Sequence, residues 1–150
     1  MLATTVLAVV VGCGGGGGSN PSTLPATSAD PQLAVQSFMQ AVNDTNLVAM
    51  AQLWGTEQGP AANRMPRDEL EKRLIIMQRY LSNNSFEVRP AQPGTVLPQT
   101  DEQQFYTVRF VRSDGCARTV PFTVVRSGNG WLVSDIDLSQ AGTPGRPCQE

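Results

Sequence analysis

The chain has 150 residues, a net charge of -2 and no histidine, which excludes Ser-His-Asp and Cys-His catalysis and imidazole metal sites. Its 11 bases, ten arginines and Lys72, are interspersed with 13 acids, so no basic stripe marks a nucleic-acid surface. Any chemistry must come from carboxylates, Tyr, Lys72 or a cysteine, and no cofactor or metal is expected.

Met1 to Val11 is apolar apart from Thr4 and Thr5. It is shorter than the ~20 residues of a membrane-spanning helix but suits the hydrophobic region of a secretory leader. No Lys or Arg precedes Arg64, so the basic residues a leader opens with are expected upstream of Met1. The run ends in Val10-Val11-Gly12-Cys13, which resembles the lipobox of bacterial lipoproteins. That resemblance implies removal of residues 1–12 as a signal peptide, lipidation of Cys13, and a cell-envelope location. Gly14 after the cysteine favours the outer membrane facing the periplasm if the source has two membranes. With Cys13 given to lipid, Cys116 and Cys148 remain as an even pair in an oxidising compartment, where a disulfide is expected.

Residues 13–29 form the anchor and a Gly/Ser/Pro tether whose root-mean-square reach is about 20 Å. The glycine run is not a phosphate-cradling loop, since no strand precedes it and no Lys-Ser/Thr follows. Residues 30–150 form one α+β domain, long enough to bury a core.

Asp30-Pro31 starts a helix by capping and by a proline in the first turn. Leu33, Ala34, Phe38, Ala41 and Val42 carry its helical period to about Asn43. Asp44-Thr45-Asn46 breaks and re-caps the chain before a shorter helix with Leu47, Met50, Ala51 and Trp54 on one face. Gly55 to Asn63 is a predicted loop. Pro66 to Leu81 is the clearest helix, with Leu70, Leu74, Met77 and Leu81 in a stripe widened by Ile75, Ile76 and Tyr80. Asp68–Lys72 and Glu69–Arg73 are supporting i,i+4 pairs on a solvated face. Asn83 or Asn84 is expected to close this helix in the left-handed conformation.

From Ser85 the period changes to two. Phe86, Val88 and Pro90 mark an edge strand, and Gln92 to Gln103 a polar connection. Strands over 105–112, 117–126 and 131–138 follow. A three-residue loop ending in left-handed Gly115 pairs Val108 with Val120. The same device at Gly130 pairs Ser127 with Trp131 and Phe122 with Ile136, whereas a two-residue turn would set Asp135 in the core row. The rows Tyr106, Phe122, Ile136 and Val108, Val120, Leu138 result. Phe105, Val125, Trp131 and Val133 fall on the opposite face and form a candidate interface for a protein partner or homodimer mate. Cys116 opens the middle strand opposite Gly142 of an extended last strand, within a short return of Cys148. Closing about 32 residues is worth roughly 3–4 kcal/mol in the chain-entropy model.

The first-helix pattern Ala34-Val35-Gln36-Ser37-Phe38 through Ala41, the short Leu-Trp helix and the closing Gly130-Trp131-Leu132-Val133 are together similar to the nuclear transport factor 2-like superfamily, the cystatin-like cone. The resemblance covers about residues 30–138 and implies three N-terminal helices packed on a bent sheet of about four strands. It implies Trp54, Tyr80, Tyr106 and Phe122 as pocket lining for a small apolar ligand. Members of the isomerase and cyclase type place an acid in that pocket. Here the acids of the last strand, Asp135 and Asp137, point away from the helices. The expected function is therefore a membrane-anchored interaction or small-ligand-binding module without catalytic residues, with an isomerase or cyclase acting in the cone as the alternative.

Overall fold

The computed structural model describes residues 28–92, 94, 98–128 and 130–148. The leader, Cys13 and all but the end of the tether lie outside this set. The element order is α1 (Pro31–Asn43), α2 (Leu47–Leu53), β1 (Gly55–Thr56), β2 (Gly59–Pro60), α3 (Arg67–Leu81), β3 (Ser85–Pro90), β4 (Gln103–Val111), β5 (Ala117–Ser127) and β6 (Gly130–Ile136). This is an α+β fold with a four-stranded antiparallel sheet, ordered β3-β4-β5-β6, and a separate two-stranded hairpin.

Helix starts follow their local chemistry. Asp30 is extended, and its carboxylate accepts the Leu33 amide at 2.8 Å, satisfying one free donor of α1. Thr45 turns the chain in the left-handed region at φ 53°, and the Asn46 side chain caps α2 by accepting from the Ala49 amide at 3.0 Å. Where a loop was predicted, β1 and β2 form a small hairpin followed by a 3₁₀ turn over Ala61–Asn63. Its strands approach so closely that a Cβ on Gly55 would stand 2.3 Å from the Gly59 carbonyl oxygen. Only glycine fits there.

Helix α3 buries Leu70, Leu74 and Leu81 and carries the Glu69–Arg73 ion pair at 2.7 Å. Ile75 and Ile76 do not widen its stripe; they are 41% and 51% exposed. Neither asparagine closes the helix through a left-handed backbone, for Ser82 leaves it extended. Asn83 acts by its side chain instead, donating to the Leu81 carbonyl at 2.7 Å.

The first long hairpin has the expected register. Gly115 is left-handed at φ 83°, Arg112 N donates to Cys116 O at 2.9 Å, and Val108 pairs with Val120. The last hairpin departs from expectation at its tip, where Ser127 pairs with Gly130 across a two-residue connection. The shift is taken back between Val124–Val133 and Thr123–Asp135, where Ser134 is the extra residue of a β-bulge. The Phe122–Ile136 pair therefore stands, and Asp135 remains outside.

Residues nearer the turn exchange faces. Val133 pairs with Val124 and Trp131 with Arg126, on the helix-facing side, while Leu132 joins Val125 on the other. Strand β6 also stops at Ile136, so Leu138 does not extend the sheet opposite Val120, nor does Gly142 face Cys116 across a ladder. Instead the Asp137 carboxylate accepts the Ser139 amide at 3.2 Å and caps a 3₁₀ turn over Leu138–Ala141.

The core lies between the helices and one sheet face. Phe38, Met39, Met50, Leu53, Leu74 and Leu81 meet Val108, Phe110, Phe122 and Val133 there. Phe38 and Phe122 pack edge to face, ring centroids 6.3 Å apart. Pro90 ends β3, an edge strand, as its missing donor requires. The opposite edge is covered: Trp131 N donates to Ser28 O at 2.8 Å, and Trp54 bridges Val133 in parallel.

Candidate functional site

The four aromatic pocket candidates are core and rim residues. Phe122 is buried under Phe38, and Tyr106 is buried with its hydroxyl donating to Gln104 Oε1 at 3.1 Å. Burial, and secondarily the Asp30 carboxylate, push the Tyr106 phenol above its ordinary pKa. Trp54 ends α2 on the β6 edge, and Tyr80 packs half-buried from α3. The main clefts of the described residues are lined by none of the four.

The candidate interface divides. Phe105 and Val125 lie on the sheet face away from the helices, as expected. Trp131 and Val133 do not; they are 3% and 0% exposed and belong to the core, because the bulge turns them inward. Arg126 lies over the Trp131 ring, 5.0 Å from its centroid. Val125 is itself buried and borders a shallow cleft with Thr56, Glu57 and Gln58 of the small hairpin and Ser134 of the bulge.

An apolar cleft lies between α2, the following 3₁₀ turn and α3, with a volume of about 440 Å³. Leu47, Val48, Ala51, Met65, Leu70 and Leu74 line it, together with the polar side chains of Gln52, Arg67 and Glu71. Val48 is 76% exposed on its rim. Ala51 and Ala62 line it with the smallest side chains of the two elements. Sequence periodicity missed it: small residues in the right period read as core, and nothing local reports that the space between them stays open.

Cys116 and Cys148 are joined, with Cα atoms 5.6 Å apart. Asp114 approaches the two sulfurs within 4.8 Å, but sulfurs bonded to each other are not thiolate ligands, and the group is a staple. Among the described residues no helix is long and apolar enough to cross a membrane. The chain matches no protein-family model, no curated protein and no solved structure.

Proposed function

We propose that the chain is a cell-envelope lipoprotein, anchored through Cys13, whose domain is a non-catalytic module binding a small apolar ligand in the cleft between α2 and α3. The cleft is the observation that carries this reading. Its volume of about 440 Å³ falls within the range of small-molecule sites, and its lining is mostly apolar with Gln52, Arg67 and Glu71 as the polar members. Three helices against one face of a four-stranded antiparallel sheet support the further reading of the domain as a nuclear transport factor 2-like cone. The disulfide supports an oxidising compartment beyond the cytosol.

Two features favour binding over an isomerase or cyclase reaction inside the cone. The Tyr106 hydroxyl is engaged by Gln104, and Phe122 is packed rather than facing open space. The test titrates the full chain with a long-chain fatty acid and with a polarity-sensitive naphthalene dye. Saturable binding that Gln52→Trp and Val48→Asp abolish, with melting temperature retained, supports the cleft; binding indifferent to both substitutions overturns it. Mass spectrometry of the N-terminus recovered from producing cells tests the anchor separately. A diacylated Cys13 supports it, and a chain starting at an unmodified Met1 removes it.

A further inference from the structure

The tail after β6 brings two arginines to one cleft. Arg118 lies on β5 two residues beyond Cys116, Arg146 lies two residues before Cys148, and the disulfide between those cysteines draws the segments together. Arg118 and Arg146, with Ser139, Gln140, Gly142 and Thr143, line a polar cleft of about 380 Å³. No acid among the described residues is in its lining. Among the described residues neither guanidinium has an ion-pair partner within 4.0 Å, and Arg118 Nε is buried without any acceptor. An orphaned buried donor is costly, and each one calls for an explanation.

The backbone is shaped around that donor. Gly142 has φ 71°, and a Cβ there would stand 2.9 Å from Arg118 Nε, so the absent side chain lets the guanidinium lie against the chain. Two acids near the lining residues in sequence are engaged elsewhere: Asp137 Oδ1 accepts from both the amide and the hydroxyl of Ser139, and Asp114 pairs with Arg112 and accepts the Cys116 amide. Thr143 lies at the same cleft and adds a hydroxyl to the two guanidinium forks. On a chain of net charge -2, two arginines without an ion-pair partner or a lining acid among the described residues form a local positive site.

We propose that this cleft binds a phosphate-class oxyanion, either free or as the phosphomonoester headgroup of a lipid. Planar guanidinium forks match the oxygen spacing of such an anion and bind it in bidentate fashion. The disulfide is part of the site, because it holds the Arg146 segment beside Arg118. This inference does not depend on the apolar cleft between α2 and α3.

The experiment titrates the full oxidised chain with inorganic phosphate by calorimetry, with chloride at equal ionic strength as the blank. Saturable binding is expected, weakened about tenfold by Arg118→Gln or Arg146→Gln and lost in the double variant, with melting temperature retained. Gly142→Ala keeps every charge but displaces Arg118, and is expected to weaken binding as well; this separates a built site from net charge. Reduction of Cys116–Cys148 is expected to release the anion. Vesicles of phosphatidylcholine with phosphatidic acid identify the source. Retention on them that phosphate competes away points to the headgroup, and phosphate binding without retention points to the free anion. No saturable phosphate binding by the wild-type chain, or binding equal to wild type in both glutamine variants, overturns the proposal.

Discussion

Arg112 Nη2 lies 3.4 Å from Asp114 Oδ2, and the pair closes the turn between β4 and β5. Arg112 is only 8% exposed, and its Nη1 donates to the Ala141 carbonyl at 3.5 Å. The other Asp114 oxygen accepts the Cys116 amide at 3.0 Å. One carboxylate thus fixes the turn and neutralises a buried cation that reaches the C-terminal segment. Asp114→Ala removes both contacts and is expected to lower stability by about 1–3 kcal/mol. Asp114→Asn keeps an acceptor for the Cys116 amide and should cost less. Urea unfolding at unchanged slope measures both; equal losses would show that the hydrogen bond to the Cys116 amide contributes nothing beyond the charge.

The disulfide ties residues 32 apart in sequence. A loop of that size restricts the unfolded chain by an amount equivalent to about 3–4 kcal/mol. Paired Cys116→Ser and Cys148→Ser substitutions are expected to lower stability by that order and to expose the 142–147 segment to proteolysis ahead of the sheet. Limited proteolysis followed by mass spectrometry locates the first cut. A first cut within β4 or β5 would mean that the bridge supports the whole sheet rather than the tail.

How much of this fold the chain discloses depends on whether its determinants are local. Asp30 and Asn46 announce α1 and α2 because each accepts an amide three residues on, and Gly115 announces its turn by taking the left-handed conformation. The last hairpin has two determinants that conflict. Turn geometry at Gly128 wins at the tip, the apolar face wins at Phe122–Ile136, and the bulge between them reconciles the two. Nothing in Val133-Ser134-Asp135 marks a bulge locally, so Trp131 and Val133 read as surface although they are core. The apolar cleft and the arginine cleft are hidden for a related reason. One is a gap between small residues on separate elements, and the other is made by a covalent tie to the tail.

That bulge makes a sharp prediction about neighbouring residues of one strand. Val133 is fully buried and packs on the helix side, so Val133→Arg places an unpaired charge in the core and is expected to abolish the folded state. Asp135, two residues on and exposed, should accept Lys with a change within about 0.5 kcal/mol. Circular dichroism and thermal melting of the two variants decide the matter. A folded Val133→Arg chain of near wild-type stability would return Val133 to the outer face and contradict the bulged register.

Tyr106 gives the domain an alkaline limit. Burial first, and the Asp30 carboxylate second, hold its phenol above the ordinary value of 10.0. The folded state therefore keeps the proton more tightly than the unfolded chain does. The corresponding stability is complete below the unfolded value and is lost as pH rises through the folded one. At neutral pH, Tyr106→Phe forfeits the hydrogen bond to Gln104 and is expected to cost about 0.5–1.5 kcal/mol. Above about pH 10 the gap should close, because only the wild-type chain has the Tyr106 phenol to ionise on unfolding. Asp30→Asn removes the neighbouring charge while retaining a good helix cap, and should soften the alkaline decline without abolishing it. Melting temperatures of the three chains between about pH 8 and 11 carry the comparison. Parallel curves for wild type and Tyr106→Phe across that range would assign the alkaline loss to another group.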